Sequence, residues 1–144
     1  MKLVNYFEAM GLAKKEYSRY LEPVCRHFRL TQNELAVVLF LCNNPGRDRA
    51  ADIVSCRGIA KSHASLAVSN LEHRGILLRR CAPSDRRSVH LELTPEGQQI
   101  AREGRERQRL FFEALYAGIG QEELDRMREL NQKILNNVAR FGKA

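Results

Sequence analysis

The chain has 144 residues, a length that favours one small domain, with or without an appended helical element, and excludes a large multidomain enzyme. Its 44% hydrophobic and 28% charged residues are typical of globular proteins, which excludes disorder and a fibrous repeat. Its 24 Lys and Arg against 17 Asp and Glu give a net charge of +7, so the surface attracts polyanions such as nucleic acid or acidic lipid.

The sequence predicts a cytoplasmic protein with no membrane partner. No apolar run approaches the roughly 20 residues of a spanning helix, and Glu8 interrupts the start before a signal-peptide core can form. Cys25, Cys42, Cys56 and Cys81 form no CxxC pair, and the four histidines are never spaced by four. We therefore expect no metal, no cofactor and four reduced thiols, each buried and inert.

The first two predicted elements are helices. Residues 4–28 have apolar positions at helical spacing, and Pro23 would kink this helix or mark a restart. Thr31 and Glu34 form the sequence pattern of a capping box, so a second helix begins after Thr31. Its apolar run at 35–41 continues nearly all round the helix, which indicates a core position. The Asn-Asn-Pro-Gly sequence that follows ends it.

Residues 44–95 carry 9 basic and 5 acidic side chains, the largest positive excess in the chain. Asp48 is placed to cap a short helix that ends at Gly58, and a second helix is predicted over residues 61–74, before Gly75. Two short helices joined by a glycine-containing turn form a helix-turn-helix.

A two-stranded hairpin is predicted after the helix-turn-helix. Residues 76–80 and the strictly alternating residues 89–93 are the β-like runs, and residues 81–88 form a polar turn between them. A helix-turn-helix followed by a hairpin is the winged-helix arrangement. Thr94 and a following proline then open a helix that extends to about residue 117. A last helix, at about 121–140, carries an apolar stripe.

The second helix of the predicted motif has one small, polar face. At 100° per residue, Ala64, Ala67, Val68 and Leu71 share the inner side, whereas Ser62, Ser65, Leu66, Ser69, Asn70 and His73 lie on the outer half. Small polar side chains allow a helix to approach the groove floor and bond to base edges, and an outward leucine can contact a thymine methyl. A solvated face of an ordinary helix is the alternative.

Arginines are concentrated on the hairpin. Arg79 and Arg80 lie on its first strand, and Arg86 and Arg87 lie at its tip. Arginine suits both a narrow minor groove and a phosphate. Asp85 would repel phosphate, so we expect it to form a salt bridge that holds an arginine toward DNA. A solvated turn with ordinary surface charge is the alternative interpretation.

Three motifs resemble the MarR family of bacterial transcription regulators: LEHRGI at 71–76, DRR at 85–87 and LELTPEG at 91–97. Their order and spacing match the family pattern, and the flanking helices match its dimerisation region. The resemblance implies a mostly helical fold with a β-hairpin wing, in which residues 1–29 and 95–144 dimerise and residues 30–94 bind DNA. It also implies a homodimer, a palindromic operator, double-stranded DNA as partner, and a small-molecule effector.

The resemblance and the helical projection together give a set of DNA-binding residues, with Arg87 as the wing arginine and Asp85 as its partner. The set is Lys61, Ser62, His63, Ser65, Leu66, Ser69, Asn70, Arg80, Asp85, Arg86 and Arg87. The chain departs from the family at Ala60, where a serine usually caps this helix, unless Ser62 caps instead. It also departs at Leu66 and Ser69, where longer polar side chains are common.

The interpretation is a DNA-binding transcriptional repressor that is not an enzyme, since no nucleophile elbow, HExxH or phosphate loop is present. Two alternatives remain. One is a thiol-based redox sensor on the same scaffold, because Arg26 and His27 beside Cys25 would favour the thiolate. The other is a winged-helix protein-interaction module without DNA binding.

Overall fold

The computed structural model describes residues 3–143 as six α-helices and one antiparallel hairpin. Met1, Lys2 and Ala144, at the ends of the predicted segments 1–29 and 95–144, lie outside the described residues. The mostly helical fold class with a small wing is confirmed. The elements in chain order are α1 (Leu3–Phe28), α2 (Gln32–Asn43), α3 (Ala50–Arg57), α4 (Lys61–His73), β1 (Leu77–Ala82), β2 (Asp85–Leu93), α5 (Pro95–Leu115), α6 (Gln121–Val138) and a short 3-10 turn (Phe141–Lys143).

The corner between α1 and α2 forms as the sequence predicts. Helix α1 runs through Pro23 without a restart and ends at Phe28, and the next residue, Arg29, is left-handed with a φ of 54°. The backbone N–H of Glu34 donates to Thr31 Oγ1 at 3.1 Å, and the N–H of Thr31 donates to Glu34 Oε2 at 3.0 Å. This reciprocal pair satisfies two amides at the start of α2 that have no partner within the helix.

Helix α2 is the centre of the hydrophobic core. Leu35, Val37, Val38 and Leu39 have no measurable exposure, as the apolar run predicts. The rest of this core includes Leu21, Val24, Ile53, Ala67, Val68, Leu71, Ile76, Leu77, Leu91, Ile100 and Ala101. One continuous cluster therefore fixes the elements that carry the helix-turn-helix and the wing.

Two buried glycines allow α5 to approach this core closely. A Cβ atom added at Gly97 would overlap the backbone oxygen of Ile76. One added at Gly104 would lie 2.8 Å from Leu39 Cδ2. Thr94 begins α5 as predicted, because its hydroxyl accepts the N–H of Gly97 at 3.2 Å.

The start of α3 differs from the prediction that Asp48 caps it. The helix follows Arg49, and the carboxylate of Asp52 accepts the Arg49 N–H at 3.2 Å. Asp48 instead lies against the wing, where its Oδ1 is 2.7 Å from His90 Nδ1 and its carbonyl oxygen accepts the N–H of Leu91 at 2.8 Å. A carboxylate three residues into the helix reaches back to cap it, which leaves Asp48 available to hold β2.

The hairpin is longer than predicted, and the expected turn over residues 81–88 is wrong. Strand β1 continues to Ala82 and β2 begins at Asp85, so Pro83 and Ser84 connect them. The pairing passes from Cys81 with Val89 directly to Ala82 with Asp85, so residues 86–88 bulge from the ladder. Polar side chains suggested a loop, but backbone pairing at an exposed edge does not require apolar residues.

The chain clusters into two compact units, one ending at Phe111 and the other beginning at Phe112. In the second unit, α6 has no buried residue among those described. Its apolar stripe exposes Leu130, Ile134, Leu135 and Val138.

Candidate nucleic-acid interface

The orientation predicted for α4 is confirmed. Ala64, Ala67, Val68 and Leu71 are buried, whereas the opposite face is exposed. This face presents Ser62, Ser65, Leu66, Ser69, Asn70 and His73, and Lys61 and His63 are exposed in the first turn of the helix. Leu66 stands out because 61% of it is exposed on a helix whose other large apolar residues are buried. The helix therefore offers a narrow, mostly polar surface with one apolar point of contact.

The beginning of α4 lacks a side-chain cap, as the sequence indicates. Ala60 occupies the cap position, and neither it nor Ser62 forms a capping hydrogen bond. The first amides of α4 and the side chain of Lys61 are thus positive groups at the same helix end.

Ser69 and Asn70 are engaged by neighbouring elements. The guanidinium of Arg79 donates to Ser69 Oγ at 3.2 Å and also pairs with Glu72 at 3.1 Å. Asn70 Nδ2 donates to Oε1 of the buried Glu34 at 3.1 Å. Arg79 therefore ties the wing to α4, and Asn70 ties α4 to the start of α2. Neither contact is evident from the sequence, because Arg79 and Glu34 lie on elements other than α4.

The tip of the wing presents Arg86 and Arg87 to solvent. The expectation that Asp85 forms a salt bridge with an arginine is wrong. Its Oδ2 accepts the Ser88 hydroxyl at 2.8 Å and its Oδ1 accepts the backbone N–H of Arg87 at 3.0 Å. These two hydrogen bonds, the Ser88 bond first, lower the pKa of Asp85. A short aspartate closes on an N–H two residues ahead more readily than on a mobile guanidinium.

Arg80 is paired in the free chain, because its guanidinium contacts the Glu92 carboxylate across the hairpin. The sequence set also omits two exposed arginines, Arg47 and Arg49, in the segment before α3. Arg49 lies close enough to Asp85 to contribute to its lowered pKa. The basic charge of both arginines is visible in the sequence, but the position of Arg49 near Asp85 is not.

Of the four cysteines, Cys25 is buried as expected and the other three are not. Burial, followed by the negative charges of Glu22 and Glu34, raises the pKa of Cys25 to about 11. The thiolate is therefore disfavoured, which contradicts the idea that neighbouring cations activate this thiol. Cys56 and Cys81 are exposed and Cys42 is half-buried, so the expectation of four buried thiols is wrong for these three.

A cavity of about 490 Å³ lies between the end of α2, β2 and α5. Leu41, Leu91 and Leu93 provide apolar walls, and Gln98 and Arg102 provide polar groups. Within the described residues, no group of three or more His, Cys, Asp or Glu side chains is arranged to hold a metal ion. No helix within residues 3–143 combines the length and apolar character needed to cross a membrane.

The curated proteins that this chain resembles are bacterial repressors. The chain is 30% identical over 86 residues to the transcriptional repressor MprA of Escherichia coli, covering 59% of this chain and 49% of MprA. The chain thus spans about half the length of this curated relative. No family model matches the sequence.

Solved structures match more of the chain. A MarR family regulator from Listeria monocytogenes in complex with 26mer DNA has a TM-score of 0.81 and 18% identity, with 92% of this chain and 88% of that chain covered. CouR from Rhodococcus jostii RHA1, bound to p-coumaroyl-CoA, has a TM-score of 0.75 and 21% identity, with 92% of each chain covered. The resemblance to MarR family regulators is confirmed, and the chain has their winged-helix fold.

Proposed function

We propose that this chain, which has the fold of MarR family transcriptional regulators, is a sequence-specific DNA-binding repressor. In this proposal it binds a palindromic operator as a homodimer, is released by a small ligand, and catalyses no reaction. The observation that carries the proposal is the exposed face of α4. Small polar residues and Leu66 protrude there, while the buried side is fixed in the core.

The proposed contacts divide by chemistry. Ser62, Ser65 and Leu66 are short enough to reach base edges, with Leu66 against a thymine methyl. Lys61 and the uncapped amides of α4 would meet a phosphate. In this proposal His63 and Ser69 form the other polar contacts between α4 and DNA.

The wing supplies the second part of the interface. Arg86 and Arg87 protrude from the bulge at its tip and suit the minor groove or the adjacent phosphates. Arg80 would contribute only after exchanging Glu92 for phosphate. Asp85 shapes the bulge from which Arg87 projects, and Asn70 acts through Glu34 rather than through a base.

The proposed homodimer rests on the apolar side chains at the two ends of the chain. Tyr6, Phe7 and Met10 are exposed on α1. Leu130, Ile134 and other apolar residues are exposed on α6. A second copy would cover these faces, and a twofold axis would place two α4 helices on successive turns of the major groove. Their half-sites would then be centred about 10 bp apart.

The proposed effector site is the cavity beside the wing. Its leucine walls suit an apolar ring or chain, and Arg102 suits an anionic group. Leu91 and Leu93 belong to β2, so a ligand at this position would bear directly on the strand that carries the wing.

Selection from random duplex DNA tests this function. The wild-type chain should enrich a twofold-symmetric site with half-site centres about 10 bp apart. Repeating the selection with Leu66→Ala should remove the preference for one thymine in each half-site. The discrimination lost at each thymine should be at most about 1–2 kcal/mol. Ser55→Ala, on α3, is the control and should leave the enriched site unchanged. A wild-type selection that enriches no site would overturn the proposed function.

A further inference from the structure

The end of α4 is attached by two side chains to the corner where α1 ends and α2 begins. Asn70 and Arg74 lie four residues apart, and therefore on the same side of the helix. Asn70 contacts the first turn of α2, and Arg74 contacts the last turn of α1. Both contacts join segments that are more than 30 residues apart in the sequence.

Arg74 forms the contact with α1. Its guanidinium donates to the carbonyl oxygen of Phe28 at 2.6 Å and to that of Arg29 at 2.7 Å. Carbonyl groups at the end of a helix have no partner within it, and they form the negative end of the helix dipole. The chain turns after α1, because Arg29 is left-handed and the N–H of Leu30 donates to the backbone carbonyl oxygen of Cys25 at 2.8 Å. This turn directs the oxygens of Phe28 and Arg29 away from the helix. A planar, charged fork suits this pair of acceptors.

Asn70 forms the contact with α2. Its amide donates to one oxygen of Glu34, whose other oxygen accepts the N–H of Thr31. Glu34 is buried, so it holds both partners with little competition from water. A carboxylate that caps α2 thus also holds α4, and the two sides of the corner are attached to the same helix.

We propose that Arg74, supported by Asn70, is a positioning residue that fixes the angle of α4 relative to α1. The inference depends on the proposed function, in which α1 belongs to the dimer interface and α4 reads DNA. In a twofold dimer the angle between these helices sets the distance between the two α4 helices. Arg74 therefore determines which half-site spacing the protein accepts, without contacting a base.

The experiment compares wild type, Arg74→Ala, Arg74→Lys and the control Arg19→Ala. Arg19 is also exposed and charged, but it pairs with Glu16 on its own helix. Each protein is titrated with the duplex enriched by wild type and with duplexes that have one base pair added or removed between the half-sites. Amide hydrogen exchange of Leu30, followed by NMR without DNA, reports on the corner itself.

We expect wild type and Arg19→Ala to bind the altered spacings at least about tenfold more weakly than the selected one. Arg74→Ala should reduce this ratio to about threefold or less, and Leu30 should exchange at least about threefold faster. Arg74→Lys should give an intermediate ratio, because an ammonium keeps the charge but not the fork. A fold-stabilising role alone would lower affinity for all three spacings equally.

A spacing ratio in Arg74→Ala within twofold of wild type, or a wild-type protein indifferent to spacing, would overturn the inference. Unchanged exchange at Leu30 would also overturn it, because the corner would then not depend on Arg74. If no duplex is enriched although Leu30 exchange accelerates, the proposed function fails, and with it the role in spacing, while the attachment of α4 to α1 stands.

Discussion

Helices α4 and α6 are both amphipathic, but they use their apolar faces differently. The apolar face of α4 is fully covered, since Ala64, Ala67, Val68 and Leu71 are buried. The second half of the apolar face of α6 is not covered, because Leu130, Ile134, Leu135 and Val138 are exposed. A covered face fixes a helix within the chain, whereas an exposed stripe of this length marks a surface for another molecule.

The two helices therefore differ, in our account, in what positions them: contacts within the chain for α4, and contacts with another molecule for α6. The winged core is determined by contacts within the chain, so its outward residues are free to be small and polar. Helix α6 keeps a strict apolar period, yet none of its described residues is buried. In our account a second copy of the chain covers this stripe, and the following predictions test the two regions in turn.

The largest effect is expected inside the covered region, from Gly97→Ala. The added methyl group would overlap the Ile76 carbonyl oxygen, which belongs to the backbone and cannot rotate away. We expect a loss of about 3 kcal/mol in the free energy of unfolding, measured by chemical denaturation at fixed protein concentration.

Gly11→Ala is the matched control, because a Cβ built there meets no atom within 4 Å other than those of its chain neighbours and the adjacent backbone of its own helix. Gly11 is an exposed position within α1, where alanine should stabilise the helix by about 0.5–1 kcal/mol. Equal effects at the two glycines would show that α5 does not approach the core as described.

The next effect is expected on α6, from Leu135→Glu. Leu135 is 61% exposed, and in the proposed dimer a carboxylate there would lose its hydration. We expect the dimer to weaken by about 2–3 kcal/mol, roughly 30- to 150-fold, as measured by sedimentation over a dilution series. Gln132→Glu, at an exposed polar position of the same helix, should change the dissociation constant much less. Identical dissociation constants for both variants would mean that the apolar stripe is not the interface.

The sequence predicted the covered region well where local chemistry decides the outcome. The capping box of Thr31 and Glu34, the phase of α4 and the Thr94 cap all depend on residues close in sequence, and all three are confirmed. The errors concern side chains with several available partners. Asp48 and Asp85 were each assigned the wrong contact, because a carboxylate bonds to whichever donor the tertiary structure brings closest.

A smaller effect is expected at the surface of the covered region, from Arg87→Ala. Removing this exposed cation should weaken DNA binding by about 1–2 kcal/mol and make the affinity less dependent on salt. The stability should not change, since the side chain is exposed. Arg105→Ala removes an equal charge from α5 and is the control. If both variants lose the same affinity, the wing has no local contact with DNA and only net charge matters.

The smallest expected effect is a difference in reactivity between the cysteine thiols. Because the pKa of Cys25 is raised to about 11, this thiol stays protonated at pH 8 and should resist an aromatic disulfide reagent until the protein unfolds. The exposed Cys56 and Cys81 should react at once. The reactivity of Cys25 should rise only as the pH passes from about 9 toward 11, and folding stability should fall over the same range, since the unfolded thiol has a pKa of 9.0. Rapid labelling of Cys25 at pH 8 would restore the redox-sensor alternative.

The most direct test of the account is the mass of the protein bound to its selected duplex. Each chain has a mass of 16.5 kDa, and the account predicts that two chains bind one duplex together, with no stable complex of one chain. Sedimentation of a fluorescent duplex at increasing protein concentration measures this mass. A complex that adds about 33 kDa in one step supports a dimer that reads DNA through two α4 helices. A stable complex containing a single chain would contradict it.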